Sequence, residues 1–229
     1  MSKTKPKSFS ERILKFYDAL HIAEVLPEGI EIINPYQQAE VKKVCREFYS
    51  KYYNDSSGRH MILGINPGRF GAGITGIPFT DPQKLIDECG IPNSFSKRSE
   101  LSSEFIYLLI NAMGGPVHFY KHYYIGAVSP LGFLKDGKNY NYYDSPELFR
   151  ALKPFIIKSL VEQIGLGITS RKCFCLGQGK NFEYLNRLNS ELGLFDEIIP
   201  LPHPRWVMQY RRKKLNDYLA ECVSKLSVG

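Results

Sequence analysis

The sequence predicts an α/β protein: a central, four-stranded, mostly parallel sheet flanked by helices in three layers. Four short apolar runs, at 60–65, 122–128, 172–176 and 197–201, are each followed within two residues by Gly or Pro, which stop a strand. Helix-length segments separate them, and strands joined by helices pair in parallel through right-handed crossovers. The carboxyl ends of all four strands then share one edge, where open α/β sheets bind ligands.

The elements follow in order. Ser8-x-x-Glu11 is a capping box opening a helix with Ile13, Leu14, Phe16, Tyr17 and Leu20 at helical spacing, and a second helix spans 37–52. Both read as packing elements. After the strand at 60–65 come helices near 82–89 and 102–113, the latter ended by Gly114-Gly115, and the strand at 122–128, closed by Ser129-Pro130-Leu131. Lys135-Asp136-Gly137-Lys138-Asn139 reads as a turn, and 146–164 as a helix that Pro154 breaks or kinks. Gly177-Gln178-Gly179-Lys180 ends the strand at 172–176 and opens a helix over 181–192; a basic helix over 208–225 follows the last strand. One domain over 1–229 is expected, with the helices of 1–55 packed on a sheet region at 60–210.

Composition narrows the class. No stretch among the 229 residues approaches the roughly 20 apolar residues of a membrane helix, and a 43% hydrophobic content suffices for a core without disulfides. Residues 1–7 are basic and polar, no apolar run follows them, and a frayed arm on an unsecreted, intracellular protein is expected. The five cysteines (Cys45, Cys89, Cys173, Cys175, Cys222) are odd in number and scattered; Cys173 and Cys175 share one strand face and read as buried structural thiols. No metal or cofactor is expected. A net charge of +7 favours an anionic partner, and Arg205, Arg211, Arg212 and Lys214, interleaved with Trp206 and Tyr210, suit phosphate contact beside stacking.

Chemistry concentrates in Gly64-Ile65-Asn66-Pro67-Gly68-Arg69-Phe70-Gly71 and Thr75-Gly76-Ile77-Pro78-Phe79. Asn66 stands at a strand's carboxyl end, Pro67 biases it away from the helical region, and the glycines let backbone approach a ligand closely. Ser129, Gly177-Gln178-Gly179 and His203 reach the same edge.

This pattern, Gly64-x-Asn66-Pro67-Gly68-x-Phe70-Gly71-x-x-x-Thr75-Gly76-x-Pro78-Phe79, resembles without a gap the first motif of the SMUG-type uracil-DNA glycosylases, the single-strand-selective monofunctional branch of that superfamily. His203-Pro204 is similar to the superfamily's second motif, a loop that enters the DNA minor groove. The resemblance implies a uracil-DNA glycosylase-like fold, catalytic roles for Asn66 and His203, and a base pocket from Gly64, Pro67, Gly68, Phe70, Phe79, Ala127 and Ser129, with Phe79 as the stacking ring. Two departures stand out: the family's His-Pro-Ser-Pro-Arg reads His203-Pro204-Arg205-Trp206, and Ala127 occupies the place of a base-reading asparagine.

The residues support that chemistry directly. Glycoside cleavage puts positive charge on the sugar and negative charge on the departing base. A carboxamide at Asn66 orients water rather than deprotonating it, and His203 donates to a carbonyl oxygen of the leaving base. The function expected is hydrolysis of uracil, and of 5-substituted uracils, from flipped nucleotides in DNA, by a monomer without membrane contact, in the cytoplasm or nucleoid of a bacterium or the nucleus of a eukaryote. A non-catalytic base-binding protein and an enzyme of small nucleotides are the other readings; the basic aromatic segment favours polymeric DNA over the second.

Overall fold

The computed structural model describes residues 7–227, the Ser170 side chain excepted, so the arm expected over 1–7 lies outside the described residues but for Lys7. The elements run α1 (Phe9–Asp18), β1 (Ile30–Ile33), α2 (Ala39–Tyr52), β2 (Arg59–Gly64), α3 (Ala72–Thr75), α4 (Pro82–Asp87), α5 (Leu101–Ala112), α6 (Gly115–His122), β3 (Tyr123–Ala127), β4 (Gly132–Lys135), β5 (Lys138–Tyr140), α7 (Pro146–Ile164), β6 (Ile168–Leu176), α8 (Lys180–Leu192), β7 (Glu197–Leu201), α9 (Pro204–Tyr210) and α10 (Leu215–Ser227). Short 3-10 turns occupy Pro35–Gln37 and Arg212–Lys214.

Four strands form the expected parallel sheet in the order β3-β2-β6-β7. The chain goes from β2 to β3 on one side and then crosses to β6 on the other, so the order reverses at β2, where α/β sheets open a crevice. Met61, Ile62 and Leu63 of β2 and Cys173, Phe174 and Cys175 of β6 are wholly buried, as strands covered on both faces must be. Burial pushes the Cys173 and Cys175 thiols up, the latter to about 12, which keeps them protonated and inert. Helices flank the sheet: α7 and α8 pack on β6, and α6 packs on β2 and β3.

A second, antiparallel sheet, β1-β4-β5, goes beyond the four strands expected. The expected turn at 135–139 is the bend of the β4–β5 hairpin, with Asp136 and Gly137 both at positive φ, as a tight two-residue hairpin turn requires. Three other readings need correction. Gly114-Gly115 ends α5 but at once begins α6, an eight-residue helix where no element was expected. Pro154 does not break α7, which runs on from Pro146 to Ile164; it lies on the exposed face, where the carbonyl its missing N–H leaves free is open to solvent. The single basic helix over 208–225 is instead α9, a 3-10 turn and α10, because the helix starts earlier, with Pro204 in its first turn, and unwinds at Arg211 (φ −132°, ψ 19°).

The capping box at Ser8 is present in both directions, Glu11 N–H donating to Ser8 Oγ at 3.3 Å and Ser8 N–H to Glu11 Oε2 at 2.7 Å. The helix it opens packs on α2, α7 and the Pro35–Gln37 turn, where Tyr17 stacks on Tyr36 with ring centroids 4.3 Å apart. Both rings also wall a cavity at the sheet's carboxyl edge.

Candidate active site

The carboxyl edge of the parallel sheet carries a small inner pocket of about 50 Å³ and an open outer cleft of about 280 Å³. They share Ile65, Asn66, Gly68, Phe79 and Glu100 as walls, so a ligand that fills both passes between these residues. The inner pocket is closed by Gly64, Pro67, Ala127 and Pro130 and backed by Tyr17 and Tyr36; the cleft is completed by Asn139, Asn141, His203 and Arg205.

Asn66 is fixed by backbone groups of the hairpin and the residues just beyond it. Its Nδ2 donates to Tyr140 O at 3.3 Å, and its Oδ1 accepts from Tyr142 N–H at 3.2 Å. These two bonds set which end of the amide is donor and which acceptor. Tyr142 is itself pinned: its hydroxyl donates to Asn181 Oδ1 at 2.9 Å, and Asn181 Nδ2 donates to Leu176 O at 3.3 Å. The ends of β2 and β6 are thereby tied through a buried polar chain.

Phe79 is held in the left-handed region (φ 53°), a conformation that costs a non-glycine residue on the order of 1 kcal/mol and that clusters at functional sites. Thr75 imposes it by closing the loop, its Oγ1 donating to Thr80 O at 2.6 Å. Gly64 makes the room: a Cβ there would come within 2.7 Å of the Phe79 ring. Pro67 presses its carbonyl onto Gly132, where a Cβ would overlap it, and Gly68 O accepts from Gly73 N–H at 2.9 Å. Ala127 pairs in register with Gly64 and lines the inner pocket, while its carbonyl accepts from Gln163 Nε2 at 3.0 Å.

His203 follows β7 as the N-cap of α9 and lines the outer cleft. Burial first, and the Arg205 guanidinium second, lower its imidazole to about 4, so it is neutral at neutral pH and donates from one nitrogen only. Arg205 lines the same cleft, and Trp206 an adjoining groove with His203 and Gly177-Gln178-Gly179. Tyr210 is exposed, Arg211 lies over the Trp206 ring at 4.9 Å, Arg212 pairs with Glu104 at 3.0 Å, and Lys214 is exposed. Of these six residues, Arg205 borders the cleft and Trp206 the adjoining groove; the other four follow them along the surface.

Two expected base contacts lie elsewhere. Phe70 is outside both cavities, its ring on the surface between the guanidinium groups of Arg69 (4.4 Å) and Arg98 (5.3 Å), because the chain turns outward after Gly68. Ser129 is fully buried and closes its own turn, Oγ donating to Leu131 O at 2.8 Å and N–H to Ile65 O at 3.1 Å. Conversely, three contributors escape the sequence reading: Glu100, the hairpin end at Tyr140 to Tyr142, and the Tyr17–Tyr36 wall. Glu100 closes the stretch Ser94 to Glu100, polar but for Phe95 and without a motif; only Gly71, beneath its carboxylate, hints at a close approach.

Residues 50–227 match the Uracil DNA glycosylase superfamily. The crystal structure of wild-type SMUG2 from Pedobacter heparinus is similar with a TM-score of 0.94 and 45% sequence identity, covering 96% of this chain and 97% of that one. Fold, cleft and relatives define the class, a DNA glycosylase. The chain belongs to the uracil DNA glycosylase superfamily, in its SMUG-type branch.

Proposed function

We propose that this glycosylase hydrolyses the N-glycosidic bond of uracil, and of 5-substituted uracils, in DNA, with water positioned by Asn66 and the leaving base stabilised by His203. The observation that carries the reading is the fixed amide of Asn66 at the neck between the two cavities, with His203 on the cleft beyond it. A flipped base enters the inner pocket against Phe79, its sugar lies at the neck, and the flanking strand runs along Arg205, Trp206 and Arg211. Asn66 retains an acceptor lone pair on Oδ1 for a water hydrogen, which orients the water's oxygen toward C1′. A neutral imidazole suits the leaving group: it donates a hydrogen bond as charge develops on the base oxygen, without the cost of holding a buried cation beforehand. Base release from oligonucleotides carrying uracil, 5-substituted uracils or normal bases tests the reading. Cleavable abasic sites from the uracil strands are expected; tight binding without release would leave a base-binding protein instead.

A further inference from the structure

Asn66 and His203 leave one step of this hydrolysis without an actor. The water oxygen bonds to C1′, the electron pair of the C1′–N bond leaves with the base, and one water proton must go to an acceptor. A carboxamide is not a base at neutral pH, and His203 is engaged as a donor to the leaving group. Glu100 is the carboxylate that lines both the inner pocket and the cleft, at the neck it shares with Asn66.

Glu100 is the N-cap of α5, and its carboxylate makes no hydrogen bond to the helix's first N–H groups, so it is free to face the pocket. Its oxygens lie instead against the glycine loop: a Cβ on Gly71 would overlap Oε2, and one on Gly68 would come within 3.5 Å of Oε1. Its backbone N–H donates to Asp81 Oδ2 at 3.0 Å, and Asp81 Oδ1 accepts from Lys84 N–H, so the neighbouring acid is already occupied. We propose that Glu100 is the general base of this enzyme, taking the proton of the water that Asn66 orients; this rests on the hydrolytic reading above.

The charged and titratable groups around it are Asp81 at the start of α4, and Arg205 and His203 at the start of α9. Burial raises the carboxyl above the ordinary glutamate value, Arg205 opposes the rise and Asp81 adds to it. A carboxylate of higher pKa is the better proton acceptor near neutral pH.

Single-turnover release of uracil from a single-stranded uracil oligonucleotide, followed from acid to neutral pH, tests the proposal. Wild type is expected to lose rate on the acid side as Glu100 protonates. Glu100→Gln should be slower by about a hundredfold or more, lose that acid limb, and bind the oligonucleotide at least as tightly, since a negative charge has gone. Gly71→Ala keeps the carboxylate but displaces it, and should cost roughly tenfold or more while the limb persists. Glu100→Gln at the wild-type rate with the limb intact overturns the proposal alone. A slow Glu100→Gln that keeps the limb, or that loses DNA affinity, assigns Glu100 a structural role and also overturns it. A wild type inert on every uracil strand overturns the hydrolytic reading, and this step with it.

Discussion

The backbone N–H of Tyr142 donates to the side-chain oxygen of Asn66 at 3.2 Å, across 76 positions of chain. Asn66 is thus oriented by the segment after β5, and that segment by the Tyr142 hydroxyl on Asn181. Asn66→Ala is expected to lower single-turnover base release by about a hundredfold or more with DNA affinity retained, since the substitution leaves every basic side chain in place. Tyr142→Phe, which leaves Asn181 Oδ1 without its donor, should cost about 1–3 kcal/mol in urea melts and slow release more mildly. A Tyr142→Phe enzyme with unchanged stability and rate would show that the buried chain does not hold the amide.

His203 yields a pH signature. Its imidazole sits at about 4 in the folded chain, against roughly 6.5 in the unfolded one. Between these values the unfolded state binds the additional proton, so the stability that depends on a neutral His203 is complete above the upper value and is lost as pH falls toward the lower. His203→Ala should remove this part of the pH dependence, seen by comparing urea melts near neutrality and near pH ~5. The same variant should slow base release by about a hundredfold, on the scale of a lost oxyanion donor. Unchanged single-turnover rates would mark His203 as a helix cap only.

Arg211, Arg212 and Lys214 lie together beyond Trp206, and of the three Arg212 has an acidic partner, Glu104, in an exposed pair that contributes little. Neutralising all three should weaken binding to any DNA strand. The slope of log affinity against log salt should flatten by about 0.7–0.9 for each phosphate no longer neutralised. Release at saturating enzyme should survive. An unchanged slope would identify the cluster as a solvated surface.

What is legible in the sequence follows from how each element is built. The parallel strands announce themselves because each is a short, largely apolar run stopped by Pro or Gly, and Asn66 and His203 can be placed because each stands beside such a stop, Pro67 and Pro202. β1 does not, since Ile30–Ile33 is a four-residue run, half exposed, whose partner β4 is distant in sequence, and Phe133 meets Ile32 only in the folded chain. The wall made by Tyr17 and Tyr36 looks in sequence like core packing, and it is that as well. Ser129 and Phe70 differ in another way: each stands at the expected point of the chain, but its side chain turns into its own loop or out to solvent.

Ala127 tests the pocket itself. It pairs with Gly64 across β2 and β3 and faces the cavity that Phe79 closes, so an amide here would stand at the edge of an inserted base. Alanine offers neither the donor nor the acceptor that separates uracil's N3–H and O4 from the edge of cytosine. Ser129 does not substitute for it, because its hydroxyl is committed to Leu131 O. The other polar side chains on the pocket wall are those of Asn66, Tyr17, Tyr36 and Glu100, beside the backbone near Pro67 and Gly68. A site that hydrogen-bonds its ligand rejects analogues by stranding polar groups, so removing one relaxes discrimination along with affinity. Wild type is therefore expected to release modified uracils at rates near that for uracil. Ala127→Asn should widen the ratio in favour of uracil by about tenfold, the equivalent of roughly one hydrogen bond. Single-turnover rates on uracil and its modified analogues for both proteins decide it: a wild type already strict for uracil, with the mutant no different, would show that Ala127 does not face the edge by which the base is read.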